Sequence, residues 1–240
     1  GGSEAFVELV NFLLRRRRFA EALVLVDRAE VAAPRVRAAL QLSAAVALRD
    51  EDLGDPEPYA LRALELAPGF GQALTFLDEW YASVGREPER ARLRAEELAA
   101  PLVERGDYLR RTHRLLEEGR VQEALAIAES GLASSPHNDM LHYNAALAAA
   151  RANLDDAARE HLLAMRVGDV KIAAAAIVLH AEIEQRAGDL EAAVLAFERA
   201  ASLPERDDPR LRAAAVTFAG SLIDAGRLAQ AGRVAAAALG

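Results

Sequence analysis

The sequence contains no cysteine and a single lysine, Lys171, and aromatic residues make up only 5% of its 240 positions. Without thiols it can build neither a disulfide framework nor a thiolate metal centre. One lysine leaves little for lysine-centred phosphate transfer, and no G-x-x-x-x-G-K-[ST] loop is present. A G-x-S-x-G elbow is missing, as are a G-x-G-x-x-G turn after a strand and any strand-like alternation.

A basic surplus is lacking as well. The 29 Lys+Arg face 37 Asp+Glu, for a net charge of −8. The deficit is spread as −3 over residues 1–120 and −5 over residues 121–240, with no charged tail. Nucleic-acid binders usually carry the opposite balance, so this partner class is disfavoured. No apolar run approaches the roughly 18 residues of a membrane span. Charged or turn residues interrupt even Lys171–His180. The opening Gly-Gly-Ser, without a Met, reads as a cloning remnant over residues 1–2 that extends to Ser3 if that residue is included. The expected compartment is the cytoplasm, or the periplasm if a leader or anchor once preceded it.

What the sequence does have is alanine, within a hydrophobic content of 52%. Alanine is the best helix former and the smallest side chain that still packs, so it suits close helix–helix contact. Pro34, Pro68 and Pro136 fall on a lattice of 34 residues, with Pro101 one position off. Ala22, Ala124 and Ala158 share that spacing, and Ala193 and Ala231 continue it with slips of one and four. Most of these alanines follow a turn-like residue (Gly119, Asn153, Gly188, Gly226) by five positions. Self-similarity at a fixed period marks stacked helical units.

With these residues in place, the chain resembles tetratricopeptide repeats: 34-residue helix pairs with Ala-x-x-x-Phe in the second helix and a closing Pro. Gly188–Ala200 is the best match, with Ala193 and Phe197 in those places. The resemblance implies an all-α, right-handed superhelical solenoid of antiparallel helix pairs over residues 3–240. Its repeats begin near 3, 37, 71, 105, 139, 174 and 212. Three places depart from the pattern. Pro56 and Arg90 take the alanine places of the second and third repeats. The second helices there are expected to start near Glu57 and at Pro88. Leu203–Leu211 adds about four residues between the last two repeats.

Arg15–Arg18 then falls at the joint between the first two helices, where a helix C-terminus favours cations. The competing reading is an anion patch. The five histidines give no metal-ligand spacing: His137 and His142 are five apart, and His180–Glu184 lacks the second histidine of H-E-x-x-H. Asp155-Asp156 and Asp207-Asp208 read as helix caps and loop acids. No catalytic constellation, cofactor or metal is expected.

The family resemblance implies binding of a protein or peptide in a groove lined by the first helices. Carried onto this sequence, the inward positions give Leu109, His113, Met140, Tyr143, Leu147, Arg151, Val178, Glu182 and Val216 in the later repeats. In the earlier repeats they give Asn11, Arg15, Gln41, Arg49, Gln72, Thr75 and Glu79. The later set holds an apolar stripe suited to an amphipathic helix, unless curvature buries it. Glu79 and the lack of lysine argue against the carboxylate clamp of chaperone-binding members. The last repeat ends in an uncovered apolar face, which would suit self-association. The expected role is a non-catalytic adaptor; the alternative is a repeat region of a larger sensor or regulator.

Overall fold

The computed structural model describes residues 2–27, 33–166, 170–202 and 208–239. Among them are fourteen α-helices, a 3₁₀ turn at Arg199–Ser202 and no strand. The helices are α1 (Gly2–Arg15), α2 (Phe19–Asp27), α3 (Pro34–Asp50), α4 (Glu57–Leu66), α5 (Gly71–Ser83), α6 (Glu87–Ala99) and α7 (Arg105–Glu117). They continue as α8 (Val121–Ser134), α9 (Asp139–Arg151), α10 (Asp155–Ala164), α11 (Val170–Ala187), α12 (Leu190–Glu198), α13 (Pro209–Asp224) and α14 (Leu228–Leu239).

Odd and even helices form pairs, and the turns explain why. Each odd helix ends at a residue with positive φ: Arg17, Asp52, Gly85, Gly119, Asn153, Gly188 and Gly226. The next amide then reaches back to close the helix, as when Arg120 N–H donates to the Leu115 carbonyl and Leu154 N–H to that of Ala149, both at 2.9 Å. One left-handed residue thus reverses the chain within a few positions. Arg17 occupies that place in the first pair, so the arginine run is a joint. Arg18 pairs with Glu21 at 2.5–2.7 Å, Arg17 pairs with Glu51 of the next helix pair, and Arg16 lies 5.5 Å over the Phe12 ring.

The odd helices α5, α7 and α9 start at residues 71, 105 and 139, whereas α3, α11 and α13 begin three to four residues ahead of the sequence register. Pro34 and Pro209 cause two of these early starts. Each sits at the first helical position, where its fixed φ helps and its missing N–H costs nothing. Pro34 therefore opens a helix instead of closing one. Leu203–Asp207, most of the expected insertion, lies outside the described residues. Asp208 beyond it caps α13, accepting from the Arg210 amide at 2.8 Å.

The chain forms two compact units, Gly1–Val103 and Glu104–Gly240. In the first, Val10, Val26, Leu40 and Ala44 pack together, and Phe76, Leu77 and Tyr81 join the small residues Ala60 and Ala63 in a second cluster. Ala22 is fully buried, as the repeat pattern requires. α4 starts at Glu57 behind a buried Pro56, and Pro88 lies in the first turn of α6. Arg90, at the third alanine place, cannot bury its charge alone. It meets Asp78 at 3.2 and 3.4 Å, and Arg94 binds the same carboxylate at 2.6 and 2.9 Å. Asp78 is only 8% exposed, so the ion cluster replaces small-residue packing.

The second unit keeps the alanines. Ala124, Ala158 and Ala193 are wholly buried and Ala231 nearly so. Gly131 lets α8 approach its neighbours: a Cβ there would meet Leu141 and Tyr108 at 3.0 Å. Phe197 and Phe218 stack with centroids 5.6 Å apart in the core of α11–α14. Arg151 and Arg186, at equivalent helix ends, each donate to the end of the preceding odd helix, the Leu116 carbonyl at 3.1 Å and that of Ala150 at 3.3 Å. Each carbonyl also accepts a turn amide, from Gly119 and Asn153, so the guanidinium adds a second bond at the helix terminus.

Candidate docking face

In the second unit the odd helices adjoin in order: α7 with α9, α9 with α11, α11 with α13. Met140, Tyr143, Leu147 and Arg151 recur at three- and four-residue intervals, which puts them on one face of α9. Met140 and Arg151 are exposed, and Tyr143 and Leu147 half-buried. Burial pushes the Tyr143 phenol above its usual range, keeping it neutral; Glu182 adds to that rise, while Arg210 and Arg151 oppose it. Helix α11 touches both α9 and α13.

The remaining expected positions divide. His113 is exposed, 3.3 Å from Glu117, and Leu109 is half-buried on the same helix. Glu182 and Val216 are exposed. Val178 is a correction to the stripe: it packs against the α11–α14 core, so only part of it meets solvent. Arg151 also does structural work through its bond to Leu116. Arg210, which the sequence reading left with the loop, is exposed at the start of α13 and pairs with Asp208 at 3.3 Å.

In the first unit, the odd-helix face holds a hollow of about 730 Å³. Asn11 and Gln72, both expected there, line it, together with Val7, Val36, Ala39 and Phe70, which the repeat register did not mark. Gln41 is a second correction. Only 7% exposed, it is buried because α3 turns Val36, Ala39 and Ser43 outward. Arg49 lies 4.8 Å over the Phe76 ring and 3.7 Å from Glu79, so those two expected residues meet each other. Thr75 and Arg15 are exposed, the latter 3.9 Å from Glu8.

Titratable groups elsewhere serve packing. His142 and His161 bring their Nδ1 atoms to 3.3 Å, with His142 Nε2 at 3.0 Å from the Pro136 carbonyl. Glu184, also buried, binds Arg159 at 2.7 and 3.2 Å and lies 3.3 Å from His180. No group of three or more His, Cys, Asp or Glu suited to a metal occurs among the described residues. None of the described helices is long and apolar enough to cross a membrane.

No family model matches the chain, and no curated protein is similar to it in sequence. Solved structures do match. YrrB, described as a TPR protein with an unusual peptide-binding site, aligns at TM-score 0.52 and 15% identity, over 80% of this chain and 94% of its own. The fold is that of tetratricopeptide repeats. PilW, a widely conserved type IV pilus biogenesis factor, has the same repeat fold at TM-score 0.57 and 16% identity, covering 89% of this chain and 98% of its own. PilF of Pseudomonas aeruginosa aligns at 0.53 and 16%, over 82% of this chain and 89% of its own. At such identities these likenesses speak for the repeat architecture alone.

Proposed function

We propose that the protein is a non-catalytic scaffold that holds a peptide or helix of a partner protein on the odd-helix face of its second unit. The observation that carries this reading is that Met140, Tyr143, Leu147 and Arg151 share one face of α9, with Met140 and Arg151 exposed, and that the neighbouring odd helices α11 and α13 expose Glu182 and Val216. An apolar strip beside a few fixed charges is what a helix or extended segment needs: anchors for area, polar groups for register. The unusual peptide-binding site of YrrB and the pilus-biogenesis role of PilW are properties of those proteins, and they are compatible with this use of the fold.

Affinity capture from lysate of the source organism tests the reading, with wild type beside a Tyr143→Glu, Leu147→Glu double variant of equal helicity. A partner bound by wild type and lost in the variant supports docking on this face. Identical partners in both would remove it.

A further inference from the structure

The junctions between successive helix pairs give a template for a junction between chains. Arg151 and Arg186 each stand two positions before a left-handed turn residue, Asn153 and Gly188. Both donate backward to the carbonyl three positions before the previous turn, that of Leu116 and that of Ala150. Arg15 holds the same place in the first pair, two positions before Arg17. It is exposed and lies 3.9 Å from Glu8, beyond hydrogen-bond reach. The matching carbonyl in α13 belongs to Ile223, three positions before Gly226, and like the other two it accepts its own turn amide.

The even helices supply an independent match. Arg233 of α14 is held by Glu191 at 2.6 Å and by Glu198 at 2.7 and 3.0 Å, both on α12. Arg233 stands seven positions past its turn residue, and the two acids stand three and ten past theirs. In α2 the seventh position is Val24; in α14 the third and tenth are Ala229 and Ala236. All three are exposed. A charged triple between α12 and α14 thus corresponds to an apolar triple shared between α2 and α14. Both sides are apolar where both were charged, whereas a helix-pair face that meets only water normally carries polar side chains. Likewise exposed Leu9 takes the place of Phe218, and Ala235 that of its stacking partner Phe197.

We propose that the α13–α14 face receives the α1–α2 face of a second copy of this chain, in the stagger that joins one helix pair to the next. Val24 seats between Ala229 and Ala236, Leu9 meets Ala235 beside the open space at Gly232, and Arg15 donates to the Ile223 carbonyl. The contact is heterologous, because each copy offers two different surfaces. It uses neither Met140 nor Tyr143, so it stands apart from the docking face on α9.

Sedimentation equilibrium of the full chain tests this. The mass should rise above that of one chain as concentration approaches about 0.5 mM. A single-chain mass throughout would overturn the proposal. Val24→Glu or Ala236→Glu alone should abolish the rise, because each puts a carboxylate into an apolar seat. Both sites are exposed, so helicity by circular dichroism should not change. Mixed together, the two variants should form a mixed dimer and nothing larger, since one keeps the α13–α14 face intact and the other the α1–α2 face. The Val24→Arg, Ala236→Glu double variant should associate again, by rebuilding the Arg233–Glu198 pair across the junction. Association untouched by either single variant, or a mixture that stays single-chain, would assign self-association elsewhere and overturn this contact.

Discussion

The two units solve one packing problem with different chemistry. In the second, every small-residue position of the even helices keeps its alanine, and the helices close on Ala124, Ala158, Ala193 and Ala231. In the first, only Ala22 remains; Pro56 fills one place and Arg90 the other, the latter with Asp78 as its counterion. Alanine packing needs no particular neighbour, so it leaves the odd-helix face free to vary. An arginine at the same place needs an acid on the adjoining odd helix, and α5 provides it. Repeat periodicity therefore describes backbone spacing more faithfully than it describes side chains. In the first unit Arg49 is itself engaged, over the Phe76 ring and 3.7 Å from Glu79.

Exchanging the two solutions gives the largest expected effect. Ala193→Arg would bury a guanidinium with no acid built to receive it, and should cost about 4 kcal/mol or more, enough to unfold much of the second unit. Arg90→Ala restores the repeat pattern and leaves Asp78 with Arg94, so urea denaturation should show a loss of only about 1 kcal/mol. Equal costs would break the comparison. Asp78→Ala comes next, at about 3 kcal/mol, because it removes the buried carboxylate that Arg90 and Arg94 both bind. Gly131→Ala follows at about 2 kcal/mol: the added methyl meets Tyr108 at its Cβ, which cannot swing away.

The smallest effect is a difference in pH response. All five histidines lie in the second unit. Burial, reinforced by His142, holds His161 below its ordinary value of 6.5, and burial likewise lowers His180 despite the nearby Glu184. For these two groups the unfolded chain binds protons more readily than the folded one. Their contribution is full above about pH 6.5 and is lost as pH falls from there through the lower folded values. Amide hydrogen exchange should therefore quicken in α9–α11 between pH 7 and pH 5, while the histidine-free first unit changes less once the intrinsic pH dependence is removed. Equal acceleration in both units would count against this assignment.

Much of the architecture was legible in the sequence because turns and small residues obey backbone geometry, which repeats. Gly119, Asn153, Gly188 and Gly226 each fall at the left-handed turn residue, and the alanines five positions later are buried. Even the late start of α4 at Glu57 could be read from its prolines. The docking face was less legible. Pro34 was read as a closing proline, yet it occupies the first position of α3, and along that helix Ala39 is exposed while Gln41 is buried. Val178 shows the same limit: whether an apolar residue faces a groove or a core depends on which neighbour curls over it. Arg210 shows it too: it lies just past the expected insertion, where α13 starts three residues ahead of the repeat register.

Site-specific photocrosslinking tests the central claim, that protein docking belongs to the odd-helix face of the second unit. A photoreactive side chain would be placed at Met140 in one sample and at Gln72, on the rim of the first-unit hollow, in another, and each exposed to lysate of the source organism. The account predicts a discrete adduct from position 140, competed away by unlabelled protein, and none from position 72. A competed adduct from position 72 alone would contradict it and move the docking surface to the first unit.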